Sequence, residues 1–202
     1  MSMNGRDYER DGQPPVESAP QGGNAMKSLY RELFDWVKTL AVALVVVILM
    51  NMFVFNLSTV DGHSMEPTLQ DGEWLFVNKF AYLINTPQLG DVVILKSPLA
   101  DESEKKFLVK RVVGLPGDRI EISNHQLYRN GEIIEEPYTD IEIEDADYGP
   151  IVVDYGHYFV MGDNRHARAS LDSREFNAVP DELIEGRADY ILWPFDEFGS
   201  LK

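Results

Sequence analysis

The sequence predicts a mainly β domain carried behind a single N-terminal transmembrane helix. Thr39 to Leu57 is a run of 19 residues without one charge. From Val60 onward the chain breaks into short β-branched and aromatic runs bounded by turn residues. There are no cysteines, so the domain relies on a hydrophobic core rather than disulfides, and thiolate chemistry is excluded.

The N-terminal 26 residues mix Gly, Pro, Gln and charge, as in Gln13-Pro14-Pro15 and Gln21-Gly22-Gly23, and show no apolar periodicity. They read as a disordered tail. Residues 27–57 read as an amphipathic lead-in, with Leu29, Leu33, Trp36 and Val37 near helical spacing, followed by the span itself. At about 1.5 Å per residue, about 20 residues cross a hydrocarbon core of about 30 Å. Trp36 and Phe53/Phe55 fall near the expected interfaces. Two readings compete with an anchor. A buried core helix hardly needs 19 uncharged residues, and a cleavable targeting segment lacks an Ala-x-Ala-like site after the run. Lys27, Arg31 and Lys38 precede the span, whereas the first basic residue after it is Lys79. That bias puts the N-terminus in the cytoplasm and residues 58–202 outside, with the lipid bilayer as a partner.

Within residues 58–202 the expected strands are Trp74–Val77, Val92–Leu95, Phe107–Val113, Ile120–Ile122 and His157–Met161. Leu115-Pro116-Gly117-Asp118 carries Pro and Gly at the two central positions of a type II turn. Asn130-Gly131 between two apolar runs reads as a tight hairpin. The run 140–148, DIEIEDADY, reads as an acidic surface loop or edge insertion.

Net charge is −16. Phosphate binding needs a Lys/Arg surplus, so nucleic acid is excluded as a partner. The surplus is uneven: residues 1–38 hold five Lys/Arg against six Asp/Glu, and the rest holds 13 against 28.

Three windows hold residues able to do chemistry. Ser64 lies in Val60-Asp61-Gly62-His63-Ser64-Met65-Glu66-Pro67-Thr68-Leu69. A nucleophilic Ser needs an exposed hydroxyl on a firmly placed backbone, with N–H groups nearby for an oxyanion. A Ser beside Gly is as readily a turn residue or cap. In Phe107-Leu108-Val109-Lys110-Arg111-Val112-Val113, strand alternation groups Leu108, Lys110 and Val112 on one face and turns Arg111 away. An ammonium desolvated there loses basicity and becomes able to act as a general base. The alternative is a Lys stem lying on apolar surface with its ammonium in water. The third window, Met161 to Arg174, gathers hydroxyls, carboxylates and arginines, as a braced polar loop also would. His63 adjoins Ser64, but neighbours in an extended segment face opposite ways. No His spacing suits zinc, so neither metal nor cofactor is expected.

These windows, in this order and after one span, resemble the type I signal peptidases, in particular the small Gram-positive members. Gly62-His63-Ser64-Met65-Glu66-Pro67-Thr68-Leu69 resembles their nucleophile box, and Lys110-Arg111-Val112-Val113-Gly114-Leu115-Pro116-Gly117-Asp118 resembles their lysine box. Gly162-Asp163-Asn164-Arg165 with Ser170-Leu171-Asp172-Ser173-Arg174 resembles the box that closes the site. The resemblance implies a serine endopeptidase that removes signal peptides from secretory preproteins without a cofactor. It implies Ser64 as nucleophile, Lys110 as general base, Ser170 as the residue orienting Lys110, and the Ser64 backbone N–H in the oxyanion hole. Val60, Met65, Leu69 and Val109 would line shallow pockets for small side chains at −1 and −3, and Asp163, Asp172 and Arg174 would act as braces. Two positions differ from the better-known pattern. Gly62 stands where some members have an oxyanion-binding Ser, and four residues rather than the usual two separate Arg165 from Ser170. The rival classes are a membrane-anchored relative that binds without cutting and a self-cleaving Ser-Lys regulator. Intact Ser64 and Lys110 argue against the first, and the absence of a DNA-binding segment argues against the second.

Overall fold

The computed structural model describes residues 22–99 and 107–201; most of the expected tail lies outside them. The chain divides into two units, Met1–Val46 and Val47–Lys202. Where described, the first is helix. Helix α1 runs Gly22–Phe53, and its Met26–Asn51 stretch is long and apolar enough to cross a membrane by length and composition. The apolar side chains there are exposed, Trp36 at 76% and Leu40 at 71%, which rules out a buried core helix. The helix begins five residues before the expected lead-in, because Met26 continues the spacing of Leu29 and Leu33 back toward the N-terminus.

At its other end α1 stops short of expectation. Phe55–Leu57, read as part of the span, belong to a strand, since aromatic and alternating residues there find a pairing partner. The elements following α1 are β1 (Phe55–Thr59), β2 (Trp74–Asn78), α2 (Ala81–Ile84), β3 (Val92–Lys96), β4 (Phe107–Gly114) and β5 (Arg119–Ser123). Next come β6 (Gln126–Arg129), β7 (Glu132–Ile133), β8 (Tyr148–Val152), β9 (His157–Met161), α3 (Ser173–Phe176), β10 (Val179–Pro180), β11 (Ile184–Trp193) and β12 (Gly199–Ser200). The mainly β expectation holds.

Among the described residues an antiparallel sheet runs β1-β2-β11-β3-β4-β9-β10, with β12 beside β11, and a second runs β7-β6-β5-β8. The large sheet is covered on both faces. Val92 and Ile94 of β3 enter one cluster with Val60, Met65, Leu69 and Leu75. Val93 and Leu95 enter another with Val112, Tyr158 and Val160. Two buried faces explain why β3 and β9 read as continuous apolar runs rather than alternating ones. A third cluster joins Phe159 and Met161 of β9 to Ile120, Ile122 and Leu127 of the second sheet. The β6–β7 hairpin turns at Asn130 and Gly131, both at positive φ (58° and 87°), as a two-residue turn of that hand demands. Asp118 N–H closes the expected turn onto Leu115 O at 3.0 Å.

Candidate active site

The loop that carries Ser64 leaves β1 and is closed at its neck: Val60 N–H donates to Glu73 O at 2.8 Å and Gly72 N–H to Val60 O at 3.0 Å. Met65 and Leu69 anchor it from below, at 1% and 0% exposed. The segment is a succession of turns rather than extended chain, so alternation does not place His63. Its Nδ1 stands 2.8 Å from Glu66 Oε1. The Gly62 N–H is taken up by Asp71 Oδ1 at 2.7 Å.

Lys110 comes from β4, registered opposite Val93 of β3. Its side chain is 1% exposed, which excludes the reading with an ammonium in water. Nζ lies 2.6 Å from Ser64 Oγ and 3.0 Å from Val109 O. Arg111, expected to point elsewhere, is buried as well, with its own counter-ion. Its Nε and Nη2 meet the two oxygens of Asp163 at 2.9 and 2.6 Å, while its guanidinium lies 4.1 Å from the Tyr138 ring centroid. Asp163 Oδ2 also accepts from Thr68 Oγ1 at 2.6 Å. The Arg111–Asp163 pair thereby ties the lysine strand to the Ser64 loop. Burial raises the Tyr138 phenol well above its ordinary value, and Glu136 beside it adds to the shift.

The third window closes over the same loop. Asn164, which sequence reasoning gave no role, donates its backbone N–H to Ser64 O at 3.1 Å and its Nδ2 to His63 O at 2.9 Å. Nothing in an isolated Asn reveals such a grip; it depends on two distant loops meeting. Gly162 is required by close approach: a Cβ there would collide with Ser170 Oγ and Ser64 O. Ser170 is thus packed beside the Ser64 segment, 7% exposed. Its Oγ makes no hydrogen bond to the described residues.

Asp172 is fully buried and accepts from Arg174 Nε and Nη2, each at 2.8 Å, and from Gly162 N–H at 3.1 Å. Burial alone would raise its carboxyl, but Arg174 outweighs it and holds the group below its usual range. Ser170 Oγ lies within electrostatic reach of the same carboxylate and pulls in that direction, outside hydrogen-bond geometry. Burial pulls Arg174 down, yet Asp172 and Asp145 leave it net raised. Asp163, Asp172 and Arg174 therefore all sit within ion pairs.

A cleft of about 240 Å³ opens beside Ser64 and Lys110, and Val60, Met65 and Val109 line it. Leu69, expected there too, does not reach it; with no exposure it fills the core under the loop. Ser58, Thr59, Asp61, Gly62, Ile94, Phe107 and Leu108 complete the lining. Ile94 was legible only through register, since it pairs with Val109 across β3 and β4. Among the described residues no three His, Cys, Asp or Glu are grouped to hold a metal.

The family model for signal peptidases, peptidase S26, matches residues 33–193. The signal peptidase I of Bacillus licheniformis is 38% identical over 175 residues, covering 82% of this chain and 91% of that protein. Signal peptidase IB of Staphylococcus aureus is 34% identical over 185 residues, covering 83% and 93%. A crystallised signal peptidase I from Enterococcus faecalis V583 is 32% identical, with TM-score 0.42, over 52% of this chain and 97% of that one. With the model matched from within α1 to the last residue of β11, the chain belongs to the signal peptidase family, peptidase S26.

Proposed function

We propose that this chain is a membrane-anchored serine endopeptidase that removes signal peptides from exported preproteins, with Ser64 as nucleophile and Lys110 as general base. The observation that carries the reading is the 2.6 Å approach of Lys110 Nζ to Ser64 Oγ by a lysine only 1% exposed. Removing water from an amine disfavours its ammonium form, and the neutral amine is the form that accepts a proton.

Lys110 takes the proton from Ser64 Oγ as that oxygen bonds to the scissile carbonyl carbon. The tetrahedral oxyanion faces the Ser64 backbone N–H. Gly62 brings no hydroxyl, and its N–H is already engaged by Asp71. The Lys110 ammonium then protonates the departing amine, and the acyl group stays on Ser64. Water, losing its proton to Lys110, attacks the ester; Ser64 Oγ leaves and regains its proton. Ser170, buried beside Ser64 and within reach of the Asp172 carboxylate, would orient Lys110.

Two strand edges suit an extended substrate. β1 ends the large sheet, and the Phe107–Lys110 stretch of β4 pairs with β3 but lies beyond its pairing with β9. Val60, Met65 and Val109 on the cleft wall would admit small side chains at −1 and −3. With α1 in the bilayer, enzyme and preprotein share one plane, which raises their effective concentration. We place residues 1–26 on the cytoplasmic side and the domain after the span outside.

Purified full-length protein should cleave a preprotein with Ala at −1 and −3, and Ser64→Ala and Lys110→Ala should each abolish the cut. Full activity in Lys110→Ala would end the dyad reading. Protease added outside intact cells should digest the β domain and spare the N-terminal segment; the reverse pattern would overturn the orientation.

A further inference from the structure

We propose that Asp145 is a positioning residue for the closing segment of the site, holding the path of residues 166–169 and thereby the placement of Ser170. The proposal rests on the Ser64/Lys110 reading above. The acidic run 140–148, expected as a surface loop or edge insertion, is hydrogen-bonded to the closing segment. Glu144 N–H donates to Arg165 O at 3.0 Å, and Ala167 N–H returns to Glu144 Oε2 at 2.9 Å. Asp145 makes the more consequential pair of contacts. Its Oδ1 accepts from Arg168 N–H at 3.0 Å, and its Oδ2 accepts from Arg174 Nη1 at 2.8 Å. One carboxylate thus grips the chain two residues before Ser170 and four residues after it.

The grip falls where the backbone needs it. Arg168 sits at φ 62°, a left-handed conformation that a long side chain adopts only when its surroundings impose it. The Arg174 guanidinium held by Asp145 is the one that also holds Asp172, and Asp172 holds the Gly162 N–H. Gly162 in turn has no room between Ser170 Oγ and Ser64 O. A continuous set of contacts therefore runs from Asp145 to the backbone of the nucleophile. Asp145 touches no reacting atom; it acts through Ser170.

The test uses the full-length protein and compares Asp145→Ala, Asp145→Asn and Asp147→Asn for kcat, KM and the pH profile of kcat/KM. Asp147 lies in the same run, but its carboxylate holds the Asn124 N–H instead. Asp145→Ala should lower kcat about tenfold or more with KM little changed, the signature of a displaced catalytic group. It should also displace the basic-group limb of the pH profile, which a loss of folded protein alone does not do. Asp145→Asn, which keeps an acceptor for Arg168 but loses the charge facing Arg174, should fall between, and Asp147→Asn should match the parent. Each variant is assayed below its own melting transition; if Asp145→Ala does not fold, Asp145→Asn decides. Parent-like kcat and pH profile in the Asp145 variants overturn the proposal, as does an equal loss in Asp147→Asn. Ser64→Ala is run alongside. Inactive Ser64→Ala with parent-like Asp145 variants sinks this inference alone, whereas active Ser64→Ala sinks the dyad.

Discussion

Gly162→Ala is the sharpest perturbation the structure offers, because it adds one methyl group where three parts of the site converge. The new carbon would overlap Ser170 Oγ and the Ser64 carbonyl oxygen and would lie 2.7 Å from Ser170 Cβ. Carbon atoms rest about 3.5–4.0 Å apart, so the neighbours must retreat by about 1 Å. One of the colliding atoms is backbone of Ser64 itself, and Asn164 N–H pins that carbonyl at 3.1 Å, so the loop cannot swing away freely. A displacement near 1 Å is worth about 10²-fold in rate, and overpacking of this kind costs about 1–3 kcal/mol of stability. For a chain this size each kcal/mol lowers Tm by about 2–4 °C. Preprotein cleavage should therefore show kcat reduced about 100-fold with KM nearly unchanged, and a melt should show a modest drop in Tm. Gly199→Ala serves as the contrast, since its Cβ would meet nothing nearer than Glu197 O at 3.7 Å. Parent-like kcat in Gly162→Ala would refute the packing argument.

Asp163→Ala should be among the most damaging braces to remove, since it strands the Arg111 guanidinium in the interior; breaking such a pair costs about 3–5 kcal/mol, read by chemical denaturation. Tyr138→Leu should lose the stacking on Arg111, worth about 0.5–2 kcal/mol, while Tyr138→Phe keeps most of it; equal losses in both would place the effect in the hydroxyl. The pH response follows from Asp172, whose carboxyl lies lower in the folded protein than in the unfolded chain. Its stabilisation is complete above the unfolded value, about pH 4, and is lost as pH falls through the native value. Melts from neutral pH to pH 2 should show the Tm advantage of the parent over Asp172→Asn shrinking on acidification; an advantage that grows would contradict the sign.

Much of this molecule was legible before its coordinates. The apolar run, the β9 strand and both turn signals were readable because each rests on local chemistry: hydropathy, β-branched runs, and residues at special φ. Lys110 was half legible. Apolar neighbours along β4 suggested desolvation, but only the fold decided between burial and an ammonium in water. The remainder depends on long-range pairing. Phe55–Leu57 looked like membrane span until β2 supplied a partner, and β11, which forms the spine of the large sheet, gave no periodic signal strong enough to single it out. Leu69 was placed in the cleft by its motif, whereas burial puts it beneath. The acidic run read as a surface loop or edge insertion, and charge density alone could not say that Glu144 and Asp145 accept from the backbone N–H groups of Ala167 and Arg168.

The chain between α1 and β1 is a short strap inside the larger unit. Val54 is tied to the helix by its N–H on Met50 O at 2.8 Å, and its carbonyl accepts from both Lys79 and Phe80 N–H groups, at 3.0 and 3.2 Å. Within Val47–Lys202, Val54 is therefore held from both sides, by the last turn of α1 and by the chain that follows β2. Six residue steps separate Val54 from Val60 at the cleft, about 20 Å of strand at about 3.3 Å each. Adding two residues to β1 would lengthen that path without altering a single reacting group; cleavage of membrane-held preprotein should fall while cleavage of a short soluble peptide persists.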